Sequence, residues 1–299
     1  MPSNVCSVAA VMAAGLLAGL AGCSKSPSAA TGPNGEKRYP LTGEVRGLDP
    51  AKHTVRVTHD AVPGLMPGMT MDFPVLAGDV ASLQVGERIR AELVIDRPGA
   101  EPRLEKIWPD DANAKTAIAA GERALREDTH DRGDQAYREV GEGMPDFTLY
   151  DQTGKVVPSG HFRGKQVMLN FIFTRCPSAD MCPASTAKMM MAQALAKKAG
   201  VANIQFVSIT LDPTYDTPGV LKEYADARSI DTSNFSFLTG PDGAVRDILT
   251  QFGIIADFSD GIVKHTLATL LIDAKGRIIW RADGSQWDPA EFVKRMHKT

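Results

Sequence analysis

The sequence predicts two domains, a small all-β barrel followed by an α/β domain of thioredoxin-like type. Three observations predict this. About five short strand-like runs crowd into residues 38–109, which suggests a small barrel. An Ala-rich, charged stretch with few large apolar residues follows over 110–142. Residues 143–299 then alternate strand and helix patterns in the order β-α-β-α-β-β-α, with two cysteines in a loop before the first helix. At 299 residues the chain has room for both domains. An apolar fraction of 43% and a formal charge of −3 fit a globular protein. Lys and Arg are dispersed, with no basic run, which excludes a nucleic-acid partner.

The chain opens with an apolar stretch, 8–20, that runs into Leu20-Ala21-Gly22-Cys23. It is too short for an ordinary membrane span, so an export signal that is removed is expected. The pattern resembles a bacterial lipoprotein signal over 1–23, cut before Cys23, whose thiol would then carry lipid. No Lys or Arg precedes Lys25, so the usual positive start of such a signal is missing. Residues 24–37, rich in Ser, Ala, Gly and Pro, read as a flexible tether from lipid to the first domain. Of the four cysteines, export removes Cys6, lipid takes Cys23, and Cys176 and Cys182 remain as one pair in an oxidising compartment.

In the first domain, 41–49 and 54–59 alternate as strands about the turn at 49–52, and 69–75, 88–95 and 103–108 supply the others. Met69 and Met71 lie two apart, so on a strand both face one side. Met66 precedes them across Pro67-Gly68, and His59 ends an earlier strand. Thioethers with an imidazole form a soft donor set that suits Cu(I) or Ag(I) over Zn(II) or Mg(II). The run from Thr58 to Phe73, containing His59-Asp60, Met66-Pro67-Gly68 and Met69-Thr70-Met71-Asp72, resembles the signature of CusF-like periplasmic copper-binding domains. That resemblance implies an OB-type barrel with His59, Met69 and Met71 as copper ligands. Met66 stands where the family has a Trp, so the cation–π cap is absent and a fourth sulfur, or a shield, replaces it.

Residues 110–142 read as a partly helical linker. In the second domain the strand at 167–173 leads into Thr174-Arg175-Cys176-Pro177, then Ser178, Ala179, Asp180, Met181 and Cys182-Pro183. Pro183 suits the first turn of a helix that runs to about residue 198. A thiol there faces the positive end of the helix dipole, which favours thiolate, the form that binds soft metals and exchanges disulfides. The site is therefore expected to do copper chemistry, redox chemistry, or both. Strands at 203–211, 266–273 and 277–282 and helices at 219–228, 244–252 and after Asp288-Pro289 complete the domain.

Pro145-Asp146-Phe147, Phe162-Arg163-Gly164-Lys165, Phe173 to Pro177, Cys182-Pro183, Leu211-Asp212-Pro213, Asp216-Thr217-Pro218 and Lys264-His265-Thr266 together resemble the Sco/SenC family. Its members are membrane-anchored copper proteins that help build the dinuclear copper centre of cytochrome oxidases. The resemblance implies one copper held by Cys176, Cys182 and His265, the last lying 83 residues beyond Cys182. The family has three residues between its cysteines where this chain has five, a longer loop that bears on copper affinity and on thiol–disulfide exchange. Met181 is read as a hydrophobic loop residue, Asp212 as a turn residue or an orienting partner, and Met189, Met190 and Met191 as packing, since successive helical positions point apart.

The expected protein is lipid-anchored at the periplasmic face of a bacterial membrane. It would capture Cu(I) and deliver copper, possibly Cu(II) in the second domain, to an accepting or disulfide-bearing target such as a cytochrome oxidase subunit. Two rival readings stay open: an enzyme exchanging disulfides through Cys176 and Cys182, and a copper-resistance protein that only sequesters metal.

Overall fold

The computed structural model describes residues 30–32, 34–133, 136–257 and 264–297. Cys6, Cys23 and the expected signal lie outside them. The first unit runs β1 (Ala30–Thr31), β2 (Lys37–Asp49), β3 (Thr54–His59), β4 (Met69–Pro74), helix α1 (Ala77–Ser82), β5 (Arg88–Ile95) and β6 (Arg103–Pro109). Its strands alternate, as a half-buried antiparallel sheet requires. Leu41 and Val45 from β2, Val55 and Val57 from β3, Phe73 from β4, Ile89 and Leu93 from β5, and Leu104 and Ile107 from β6 point inward into one cluster. The sheet is antiparallel, ordered β4-β3-β2-β5-β6 with β1 on β2. This corrects the expected closed barrel. The end strands β4 and β6 come close to one another, but no ladder joins them among the described residues. Helix α1 was not expected, because Leu76 stands at its N-cap without a side-chain hydrogen bond and the sequence carries no start signal.

Helix α2 (Ala112–Arg132) follows, capped by the Asp111 carboxylate, which accepts from the Ala114 N–H at 2.7 Å, and ended by Gly133 at φ 87°. Only Ile118 and Leu125 of this helix are buried, two turns apart on one face. Leu125 belongs to the core of the second unit, and Ile118 packs with Trp108 and Tyr150. Gln251 donates to Asp128 at 2.7 Å and to Thr129 at 2.9 Å. The stretch expected as a linker is thus fastened to the second unit rather than hinged.

The second unit continues with β7 (Thr148–Asp151), β8 (Val156–Pro158), β9 (Gln166–Ile172), α3 (Cys182–Lys198), β10 (Ile204–Thr210), α4 (Pro218–Ala227), β11 (Phe235–Thr239) and α5 (Asp242–Gln251). The chain then forms β12 (Ala256–Asp257), β13 (Lys264–His265), β14 (Ala268–Ile272), β15 (Ile278–Asp283) and α6 (Pro289–Arg295). Seven strands make a mixed sheet in the order β15-β14-β9-β10-β11-β7-β8, in which β9, β10 and β11 are parallel. Every residue of β9 is buried, the mark of a central strand covered on both faces. Helix α3 packs on β9 and β10, α4 on β11, and α2 against α5. The sequence reading lacked β11, a five-residue buried strand too short to show a period. Because β9 and β10 are parallel neighbours, their C-terminal ends and the start of α3 meet at one edge, where the cysteine loop sits.

If α2 is part of the second core, Leu125→Ala costs about 2–5 kcal/mol of that unit's stability. Urea unfolding of the full chain measures this, and a change below about 0.5 kcal/mol would mean the helix lies loosely on the surface.

Candidate metal centres

At the end of β9 the chain leaves the sheet through Phe173 and Thr174. The Thr174 N–H donates to Asp216 Oδ2 at 3.1 Å, the Thr174 hydroxyl bonds Asp216 Oδ1, and the Thr210 hydroxyl donates to Asp216 Oδ2 at 2.6 Å. Asp216 is fully buried, and burial pushes its carboxyl up to about 6 against the lowering effect of these donors. Arg175 pairs with Asp212 and lies over the Tyr215 ring at 3.9 Å. Asp212 therefore anchors the loop through Arg175 and also accepts from the Thr214 hydroxyl at 2.9 Å. Asp216, quoted above only within a motif, is the loop's main fastening. Its signal in the sequence was an acidic residue before Thr217-Pro218, which read as no more than a helix start.

The five residues between the cysteines fold into a turn, with the Met181 N–H donating to the Ser178 carbonyl at 3.1 Å and the Ser185 N–H to the Met181 carbonyl at 2.8 Å. The turn brings the sulfurs together despite the longer spacing. Cys176 is half-buried, Cys182 is buried, and both are free thiols. His265 comes from β13, which pairs with β12 through Ala256. Its Nε2 lies 3.9 Å from Cys182 Sγ, and one donor atom from each of Cys176, Cys182 and His265 lies within 4.8 Å of the other two. His265 Nδ1 faces the Thr266 carbonyl at 3.4 Å, which can only accept. That places the proton on Nδ1 and leaves the Nε2 lone pair facing the sulfurs, free to accept a hydrogen bond or to ligate a metal. The Phe173 ring stands edge-on to His265 at 5.3 Å, and Met181 and His265 share the lining of a cavity of about 360 Å³.

Burial sets the charge state. It pushes the Cys182 thiol well above its ordinary range, and it lowers His265. This reverses the expectation that the helix terminus makes Cys182 a thiolate. The dipole contributes about 0.3–2 kcal/mol, less than the cost of charging sulfur in this pocket without a cation. Of the three methionines in α3, Met189 is core, Met190 packs against the core and Met191 is exposed.

The first unit places its predicted donors around the end of β3. His59 and Met69 are direct partners in the β3–β4 ladder, and Met71 pairs with Val57. His59, Met69 and Met71 therefore share the inward face. Burial grades along β4 from Met69, 41% exposed, through half-buried Met71 to fully buried Phe73, so the methionines climb from the core to its mouth. Met66 is half-buried and packs against the same core, held by reciprocal bonds with Val62 at 3.0 and 3.1 Å. His59 Nδ1 lies 2.8 Å from the Asp60 carbonyl, which fixes the proton there. The buried Nε2 has no hydrogen-bond partner. An unmade bond on a buried nitrogen costs about 1–3 kcal/mol, and a soft metal ion among the nearby thioethers would satisfy it.

A thioredoxin-like sheet bearing two thiols and an imidazole at the parallel-strand edge defines the second unit as a thiol-based metal or redox domain. The SCO1/SenC family model matches residues 135–299, more than half the chain, so the chain belongs to that family. The model of CusF, a copper-binding periplasmic protein, matches residues 38–109. A SCO2-like protein of Rickettsia felis is 33% identical over 158 residues, which is 50% of this chain and 74% of the relative. Among solved structures, BsSco, a member of the Sco family of cytochrome c oxidase assembly proteins, aligns at 25% identity with a TM-score of 0.47, covering 54% of this chain and 95% of its own. Copper-bound yeast Sco1 aligns at 26% identity and 0.43, covering 51% and 84%. The donor sets and the two family matches make copper the metal of this chain.

Since Cys182 is held as a thiol, copper binding at the second centre must displace its proton. Apparent Cu(I) affinity of that centre should then rise about tenfold per pH unit for each proton released. Chelator competition at pH 6, 7 and 8 tests this; a flat profile would mean the thiols are already ionised.

Proposed function

We propose that this chain is an exported, lipid-anchored copper carrier that captures Cu(I) in its first domain and delivers copper through Cys176, Cys182 and His265. The recipient is a copper-accepting or disulfide-bearing protein, with the copper centre of a cytochrome oxidase as the target. The observation that carries the reading is the convergence of two free thiols and one imidazole nitrogen within 4.8 Å. Two thiolates and an imidazole fit copper in either oxidation state, since soft sulfur favours Cu(I) and the nitrogen tolerates Cu(II). On this reading the open first sheet is the OB-type barrel of the CusF-like domains with one seam unpaired. His59, Met69 and Met71 are its ligands, and Met66 supplies a fourth sulfur where that family has Trp. Cys23 carries the lipid, and the periplasmic face of a bacterial membrane is the site of action.

A second reading keeps the same residues and drops the metal. The thiols are free and near one another, so they are placed to reduce a partner's disulfide by exchange, closing their own as the partner's opens. Holding the thiol protonated slows such attack, which favours the carrier.

Anaerobic Cu(I) titration of the reduced full chain against a chromophoric chelator decides between them. Two coppers per chain are expected. Cys176→Ser and His265→Ala each remove one, and Met69→Ile with Met71→Ile removes the other. One copper, unaffected by Cys176→Ser, would reject the second centre and favour exchange. Two coppers that no oxidase copper domain can withdraw would favour sequestration.

A second outcome concerns Met66. Met66→Leu should weaken the first centre by about three- to tenfold if the thioether is a ligand, while a wild-type affinity reduces it to a shield.

A further inference from the structure

The two units meet where α1 of the first lies across the first turn of α4 in the second. Two glycines make the contact. A methyl on Gly78 would collide with the Gly219 carbonyl and come within 2.7 Å of Glu223 Cβ. A methyl on Gly219 would collide with the Asp79 carboxylate and come within 2.9 Å of Asp79 Cα. Real Cβ atoms do not sit so close, so the backbones touch only because both residues lack side chains. The Gly78 N–H donates to Glu223 Oε2 at 3.2 Å, which adds a directional bond across the contact. Asp79 is 2% exposed, and burial, with the Glu223 charge beside it, pushes its carboxyl up to about 7.

The turn that α1 clasps is the one that fastens the cysteine loop. Gly219 follows Thr217-Pro218, and these follow Asp216, whose carboxylate holds the Thr174 amide and hydroxyl. Thr174 stands two residues before Cys176. The turn has backbone bonds of its own, Asp216 N–H to the Asp212 carbonyl and Thr217 N–H to the Tyr215 carbonyl, both at 2.8 Å, but its side-chain cap is long, Thr217 accepting from the Val220 N–H at 3.5 Å. From α1 to the first sulfur the path is therefore one glycine contact, three peptide links, one buried carboxylate and two residues of loop.

We propose that the first domain positions the cysteine loop of the second: α1, seated on Gly219 through Gly78, fixes the Asp216 turn and so sets the separation of Cys176 and Cys182. The fused domain then acts on the second centre whether or not copper passes between them. Gly78, Gly219 and Glu223 are positioning residues that touch neither sulfur nor metal.

The test uses the reduced full chain and two readouts. One is the equilibrium in which the Cys176/Cys182 dithiol and oxidised glutathione give the protein disulfide and two reduced glutathiones. The other is Cu(I) affinity of the Cys176/Cys182/His265 centre, read in a His59→Ala background. Gly78→Val should speed deuterium exchange over 77–82 and 217–221, and should lower both the glutathione equilibrium constant and the Cu(I) affinity by roughly 2- to 30-fold. Glu223→Ala, which removes the acceptor without adding bulk, should act in the same direction, and Glu223→Gln, which keeps an acceptor oxygen, should restore the wild-type values. Faster exchange with both constants unchanged overturns the proposal. So does unchanged exchange in Gly78→Val, because the contact then has room that the structure denies it. The copper arm rests on the function proposed above. If the wild-type chain takes no copper at this centre, that function fails, while the glutathione arm still tests the coupling.

Discussion

The carboxylate of Asp216 accepts from the Thr174 amide, the Thr174 hydroxyl and the Thr210 hydroxyl in a site closed to water, and the geometry of the second centre follows from those bonds. A chain leaving a parallel strand at a sheet edge has amides with no ladder partner. Here Asp216 supplies the partner, and because its two oxygens reach the end of β10 and the start of the loop together, the loop cannot leave the sheet in another direction. Replacing Asp216 with an apolar residue would strand three donors, and each buried unpaired donor costs about 1–3 kcal/mol. The longer cysteine spacing is tolerable for the same reason. With Thr174 fixed at one end and α3 starting at Cys182 at the other, two added residues need only widen a turn.

Burial then decides what the sulfurs are. A cysteine at a helix start is usually expected to be acidic, and on sequence alone that expectation is sound. In this fold Cys182 sits beneath the loop with Phe173, Cys176 and His265 around it, so water is excluded and the helix dipole acts alone. Desolvation of the anion outweighs the dipole, and burial holds Cys182 as the thiol. A cation reverses that balance, because a charge at the centre of the donors compensates the thiolates that the pocket by itself disfavours. Cys182 thus rests as a thiol and would give up its proton when copper arrives.

The legible parts of this molecule are those written in short-range patterns. Alternation gave β3 its boundaries, because a two-residue period survives in a sheet with one wet face. The residues that converge at the end of β9, Cys176, Cys182 and His265, were legible too, since thiols and an imidazole at motif spacing are rare by accident. Helix α1 was not legible, because it has six residues and no capping side chain. Strand β11 has five residues, all but Ser236 buried, and is too short to show a period. The role of Asp216 depends on β9 and β10 being neighbours, a long-range fact that no local window contains. The same holds for α2, whose two buried residues, Ile118 and Leu125, look sparse until the second core and Trp108 are beside them. The protonation of Cys182 was misread because dipole arguments are local and burial is not.

The two centres differ in a way that bears on how copper moves. If His59, Met66, Met69 and Met71 are the ligands of the first centre, as proposed, the thioethers carry no proton and the neutral histidine keeps its proton on Nδ1 against the Asp60 carbonyl. Cys182 offers a sulfur that must lose a proton to bind. On the proposed transfer, exchange of one copper from the first set to the second releases the Cys182 proton, and mass action couples the partition between centres to pH. Thioethers cannot close into a disulfide, so the first centre also keeps its donors in an oxidising medium where the second loses them on oxidation. On that proposal, a reduced second centre draws copper forward, and an oxidised one leaves it on the first sheet. With α1 clamped on α4 and α2 packed on α5, the two centres belong to one framework, and on the proposed transfer the state of the thiol pair and the pH together set where the metal rests.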